Sequence, residues 1–306
     1  MGGNSRALRS GLVLAAGILL GFAQLAHAVD GVIEINQACV NTSGICGTDP
    51  GCFSGDTACF PVMITAPGSY RLTSNLSLAS QSQTAIEVAI SAPPGGVTVD
   101  MNGFMILGTY SCGTTACPAT GCAAPTGSGR GIYASTSHPV GVRNGAIEGM
   151  GGAGIELNFG GLIEDVLLTG NGTKGVQSSS GAVIVRGTGF SFNVDDGIEA
   201  TFATISGSKA ACNGGDGFDV GYSSGNLIGN TADFNGGIGI VAGPGSSNTL
   251  NSVRGNGGLG MSMAADSSFG SNAITCNNGG VCDNSAQTTG GISMGFNLCG
   301  TDTTCP

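Results

Sequence analysis

The chain of 306 residues has no tryptophan, and only 9% of its residues are charged. Basic side chains are scarcest: nine Lys and Arg stand against nineteen Asp and Glu, for a net charge of −10. Arg6 and Arg9 lie at the extreme N-terminus, so the rest of the chain is more acidic still. Without clustered Lys and Arg, neither nucleic acid nor an anionic lipid surface can be held, which excludes both as partners. A cation, or a neutral or amine-bearing glycan, suits this surface better. Histidine is confined to His27 and His138, and no C-x-x-C pair exists, so a zinc site lacks ligands. Glycine at every third position is missing, which excludes collagen. A hydrophobic fraction of 41% with so little charge is the opposite of a disordered composition. The apolar run Gly11 to Ala23 is too short to cross a bilayer, which takes about 20 residues as a helix.

That short run belongs to an export signal. Arg6 and Arg9 precede it, and Ala26-His27-Ala28 follows with the small-x-small pattern of a cleavage site, so residues 1–28 read as a signal peptide. The expected location is secreted or periplasmic, with no integral membrane segment after cleavage. All twelve cysteines lie beyond residue 28, where an oxidising compartment makes disulfides the default. Cys39, Cys46, Cys52 and Cys59 form one group, and Cys112, Cys117 and Cys122 a second. Cys276 with Cys282 and Cys299 with Cys305 are local pairs. Three cysteines in the second group leave one over, and Cys212 is the lone candidate elsewhere; the remaining connectivity stays open.

Glycine supplies 58 residues, and its spacing carries the fold. A Gly-apolar pair recurs at Gly131-Ile132, Gly154-Ile155, Gly175-Val176, Gly197-Ile198, Gly217-Phe218, Gly239-Ile240 and Gly260-Met261, in steps of 20 to 23 residues. Asn171, Asn193, Asn213, Asn235, Asn256 and Asn278 run in phase with it, and Asn230, Asn251 and Asn272 form a partial second column. Within each unit the apolar residues alternate over three to five positions, as in Leu162-Ile163-Glu164-Asp165-Val166, and alternation at period two means strand. The leucine pattern of a leucine-rich repeat is missing. Short strands joined by Gly and Asn turns at this period make an all-β chain, a right-handed parallel β-helix, since parallel crossovers take that hand almost without exception. The Gly-apolar column should stack inward, its glycines supplying turn conformations that a β-carbon opposes. The asparagines should tolerate left-handed backbone and bond amide to amide from coil to coil.

A solenoid needs covered ends. Residues 29–84 read as an N-terminal cap, 85–289 as the β-helix, and 290–306 as a C-terminal cap. Residues 108–129 form a Cys-rich insertion leaving the wall. The order of features resembles exported bacterial right-handed parallel β-helix proteins of the pectin-lyase-like superfold. The resemblance rests on Ile35-Asn36-Gln37, Pro67-Gly68-Ser69-Tyr70-Arg71-Leu72, Val99-Asp100-Met101-Asn102-Gly103-Phe104, Arg143-Asn144-Gly145 and the Cys-bounded C-terminus. It covers essentially the whole mature chain and implies the fold, not a reaction, because most members have no assigned activity.

Related folds include polygalacturonases and pectate lyases. Asp195-Asp196-Gly197-Ile198 resembles part of the paired-Asp motif of the former, but no N-T-D lies one coil earlier and no G-H-G follows. Elimination of the pectate-lyase kind needs calcium-binding carboxylates and a basic residue as base; Arg186 is the coil residue placed one to two coils from carboxylates. Asp196-Gly197-Ile198-Glu199 and Asp216-Gly217-Phe218-Asp219 are in register 20 residues apart. Asp195, Asp196, Glu199, Asp216 and Asp219 therefore gather on one outward patch, the candidate binding site. Carboxylates on adjacent rungs at ~4.8 Å repel unless they stay solvated, share protons or bind a cation such as Ca²⁺. No other cofactor is implied. Phe190, Phe192, Phe202, Tyr222 and Phe234 are candidate platforms for sugar rings. The favoured reading is a non-catalytic surface or glycan-binding scaffold whose partner is a polysaccharide or another cell-surface component. The alternative is a carbohydrate-active enzyme, lyase-like or glycoside-hydrolase-like, with an atypical acidic site.

Overall fold

A computed structural model describes residues 31–41, 51–91, 95–113, 116–279, 282 and 286–300. Residues 1–28, expected to be a signal peptide, and Cys46 and Cys305 lie outside the described residues. Short strands stack in parallel into a β-solenoid of about 10 turns, with one helix among the described residues, Gln37–Val40. Each full turn contributes to three walls. The first carries Ile86–Val88, Ile132–Ala134, Ile155–Leu157, the start of Val176–Arg186 and of Ile198–Ser206, Phe218–Val220, Ile240–Ala242 and Met261–Met263. The second runs from Val32–Ile35 through Gly68–Leu72 and Val97–Asp100 to Ser268–Gly270. The third begins at Leu76–Ser77 and Met105–Leu107 and ends at Ala273–Thr275 with Leu298–Cys299.

The interior is a set of aliphatic columns, one residue per rung. Ile132, Ile155, Val176, Ile198, Phe218, Ile240 and Met261 are all fully buried, and each contributes roughly 1.5–3 kcal/mol on burial. The glycines ahead of them are needed for a reason other than the expected turn conformation: none has a positive φ. A β-carbon at Gly197 would stand 2.5 Å from the carbonyl oxygen of Gly217 on the next rung. Close approach between coils, not backbone freedom, fixes these positions.

The asparagine ladder is present with one correction. Asn171, Asn193, Asn213, Asn235, Asn256 and Asn277 are fully buried, and each Nδ2 donates to the next Oδ1 at 2.8–2.9 Å up to Asn277. Asn277, not Asn278, closes the column and donates to Gln287 Oε1 at 2.9 Å. The physical reason lies one residue earlier. Gly170, Phe192, Cys212, Phe234, Gly255 and Cys276 all adopt φ between 54° and 68°, so the left-handed residue precedes the ladder asparagine instead of being it. That turn points the following side chain inward, and Cys276 fills the turn position ahead of Asn277. Each non-glycine residue held there costs roughly 1–2 kcal/mol. A second ladder joins Asn230, Asn251, Asn272 and Asn297 through backbone N–H donors and Oδ1 acceptors at 2.9–3.0 Å.

Outside, the second wall carries an alternating ionic column. Glu34, Arg71, Asp100, Arg143, Glu164 and Arg186 stand in register on successive rungs. Arg143 lies 3.1 Å from Asp100, and Arg186 3.9 Å from Glu164. Opposite charges directly across a pair support this register, and a slip by one rung would place like charges together.

The insertion folds along the corner between the third and first walls. Tyr110 N donates to Gly149 O at 2.7 Å, Ala119 N to Cys212 O at 3.0 Å, and Thr126 N to Gln81 Oε1 at 2.7 Å. Cys112–Cys122 closes the loop, and Cys117–Cys212 ties it to the stack across 95 residues. Cys39–Cys52 and Cys276–Cys282 are bonded near the two ends, and Cys59 and Cys299 are disulfide-bonded as well.

Asn213→Ala would orphan the Asn193 amides and the Phe190 carbonyl. With about 1–3 kcal/mol for each unsatisfied buried group, a loss of at least ~3 kcal/mol is expected in chemical denaturation. Asn226→Ala, at an exposed site, should change stability by less than about 0.5 kcal/mol. Equal effects of the two substitutions would remove the ladder from its structural role.

Candidate functional site

The corner residue just ahead of each Gly-apolar pair sets the chemistry of the first wall. Lys174 occupies that position ahead of Gly175-Val176, Asp196 ahead of Gly197-Ile198, and Asp216 ahead of Gly217-Phe218. Stacking therefore lays the Lys174 side chain against the next rung's carboxylates. Its Nζ bonds Asp195 Oδ2 and lies 3.0 Å from Glu199 Oε2 and 3.4 Å from Asp196 Oδ2. Glu199 pairs in register with Asp219, and Asp216 N donates to Asp196 Oδ1 at 2.7 Å. Asp216 Oδ1 in turn accepts from Ile238 N at 2.6 Å, and Asp219 Oδ1 from Gly221 N at 2.8 Å. All five expected site residues thus fall on two adjacent rungs of one wall.

Lys174 is the member of the candidate site that the sequence reading missed. It lies one repeat before Asp195 and Asp196, so counting back 21 or 22 residues would have found it. Arg186 instead sits on the second wall with Glu164, away from the cluster. The ammonium supplies from within the chain the positive charge that a bound cation would otherwise bring. Among the described residues, no group of three or more His, Cys, Asp or Glu side chains is arranged to hold a metal ion.

Burial works against the Lys174 ammonium, but its hydrogen bonds to Asp195 and Glu199 and the charges around it outweigh that cost and hold its pKa above the ordinary lysine value. Burial is also the largest influence on the acids. It raises Asp196 to about 6, against the opposing hydrogen bond from the Asp216 amide, and it raises Asp216 and Asp219 as well. The patch therefore combines a fixed cation with one carboxyl group, Asp196, that retains its proton in mildly acidic solution.

The polar strip extends beyond the cluster. The outward first-wall column runs Glu87, Tyr133, Glu156, Gln177, Glu199 and Asp219. Arg130 forms an ion pair with Glu156 and stacks over the Tyr133 ring at 4.5 Å from its centroid. One edge is bounded by the insertion, where a β-carbon at Gly214 would come within 2.8 Å of Ala119 O. At the other edge, toward the second wall, Phe159, Phe202 and Tyr222 are 45%, 41% and 71% exposed. Of the expected platforms, Phe190 is buried and packs edge-on against Phe218, while Phe192 and Phe234 lie at the third-to-first corner. Phe202 and Tyr222 flank the strip.

The raised Asp196 pKa makes the stability of the fold depend on pH. Between the unfolded value near 3.8 and the folded value of about 6, native Asp196 holds a proton that the unfolded chain has released. Stability should therefore be greatest near pH 4 and fall by on the order of 1–3 kcal/mol as pH rises from there through 6. Asp100, whose pKa is lowered by its Asn102 and Asn144 hydrogen bonds and the Arg143 charge despite burial, loses its contribution only in more acidic solution. Urea midpoints at pH 4.5 and 7.5 check this, and Asp196→Asn should flatten the difference. A midpoint that rises toward pH 7.5 would contradict the assignment.

No family model matches the chain, and no curated protein matches it. Among solved structures it is similar to the A-module of the mannuronan C-5 epimerase AlgE4 of Azotobacter vinelandii, at 14% identity and a TM-score of 0.50. That alignment covers 84% of this chain and 70% of the module. It is also similar to the Dettilon tailspike protein, at 13% identity and a TM-score of 0.46, over 80% of this chain and 58% of that one. What the chain shares with the epimerase module at this identity is its fold, the parallel β-helix.

Proposed function

We propose that the protein is an exported, non-catalytic β-helix that binds a polysaccharide along its first wall. The observation that carries this reading is the line of exposed aromatics, Phe159, Phe202 and Tyr222, beside a strip of fixed hydrogen-bonding groups. Aromatic residues are only 5% of the chain, and three of them stand at one corner of one wall. Six rungs of that wall, at ~4.8 Å each, give roughly 24 Å of polar surface, a length suited to an extended chain and not to a small molecule. Arg130 and Lys174 are already paired with carboxylates, so the strip offers oriented donors and acceptors to hydroxyl groups without a net positive charge for a polyanion. Four disulfides among the described residues suit an oxidising compartment. The shared fold of a protein named for acting on mannuronan adds to the case for a carbohydrate partner.

A catalytic reading is favoured by one feature, the Asp196 carboxyl raised to about 6 beside further carboxylates, the kind of pair that divides acid and base roles in glycoside hydrolysis. Against it, Lys174 is held as an ammonium and cannot serve as the base of an elimination at neutral pH. A glycan array and a polysaccharide-degradation screen, each with and without Ca²⁺, separate the readings. Binding without turnover, weakened at least tenfold by Phe202→Ala or Tyr222→Ala, is expected. Turnover abolished by Asp196→Ala would establish the enzyme instead, and absence of both binding and turnover would leave the strip as plain surface.

A further inference from the structure

We infer a second saccharide site, distinct from the polar wall, in the cavity between the insertion and the third-to-first corner, and assign it to an amine-bearing sugar. The cavity has a volume of about 410 Å³, within the range of small-ligand pockets. It exists because of which residues occupy the left-handed corner on successive rungs. Gly149 and Gly170 hold that position first, and a β-carbon at Gly170 would meet nothing within 4 Å. Phe192 holds it on the following rung, and its aromatic side chain is part of the lining. Tyr110 lines the cavity as well. Its amide bonds Gly149 O at 2.7 Å and its hydroxyl donates to Ala123 O at 2.9 Å, so the ring is fixed and the hydroxyl engaged.

The polar groups of the lining select the ligand. Glu148 is its one charged side chain, is exposed, and stands in register with Thr169 and Leu107. No basic side chain among the described residues pairs with it, although Arg130, Arg143, Lys174, Arg186 and Lys209 all have acidic partners. Thr169 Oγ1 already accepts from Ser191 Oγ at 3.1 Å, which leaves its own proton to donate. An aromatic face, a hydroxyl donor and an uncompensated carboxylate match a pyranose carrying a free amine. The insertion that walls the cavity is held by Cys112–Cys122 and Cys117–Cys212, so the site should exist only in the oxidised protein.

The lining shares no residue with the polar wall, so either reading can fail while the other stands. The test is calorimetric titration of the oxidised full chain with a glucosamine tetramer, its N-acetylated counterpart and a neutral glucose tetramer. The amine tetramer should bind at least tenfold more tightly than the other two. Glu148→Gln and Phe192→Gly should each weaken it at least tenfold, while Asp266→Asn, at an exposed turn, controls for general attraction to an acidic protein. Phe192→Gly supplies the residue found at this corner on the two preceding rungs and so keeps the fold, which circular dichroism verifies. Equal binding of the three tetramers, no binding of the amine form, or full binding in both lining variants would overturn the assignment.

Discussion

Each buried ladder asparagine answers two problems at once. Its Oδ1 accepts the backbone N–H and the side-chain amide of the asparagine one rung earlier, and its Nδ2 reaches back to a carbonyl such as Phe190 O or Ala210 O. A tight corner in a solenoid would otherwise bury unpaired main-chain groups, at about 1–3 kcal/mol each. The same bond holds the corner in register while the coils differ in length. The ladder steps are 22, 20, 22, 21 and 21 residues, yet every amide bond stays at 2.8–2.9 Å. The extra residues are taken up elsewhere in the coil, as at the register shift between Ser178 and Ala182. Interior columns, outward ionic pairs and the acidic cluster all inherit their alignment from it.

That alignment explains why the charged groups can sit so close together. Stacked carboxylates on the first wall would repel, yet the rung before them delivers Lys174 into their midst. The second wall meets the same problem with strict alternation of sign from Glu34 to Arg186. With only seven basic residues beyond residue 28, the chain places them where a like-charge stack would form, and little positive charge is left for any polyanion.

Much of this was legible in the sequence because a solenoid turns spacing into contact. The Gly-apolar column, the Glu199–Asp219 register, the Cys276–Cys282 pair and the bonding of Cys212 to one of Cys112, Cys117 and Cys122 all follow from counting, though not that the partner is Cys117. What was missed needed knowledge of the corner itself. Asn278 matched the period as well as Asn277 does, and only the left-handed Cys276 shows which of the two turns inward. Lys174 sits in the corner column, where the repeat gives its position but not that its side chain turns onto the carboxylates of the next rung. The Gly149–Gly170–Phe192 cavity could not be read at all, since it depends on how the insertion lies across three rungs.

Side-chain amide exchange, followed by NMR, tests the ladder most directly. The Nδ2 protons of Asn193, Asn213, Asn235 and Asn256 should be protected to nearly the degree of the slowest backbone amides, whereas those of exposed Asn226 should exchange at the rate of free amide. Solvent-like exchange at the ladder positions in the folded protein would contradict the claim that buried asparagine bonds hold the coils in register.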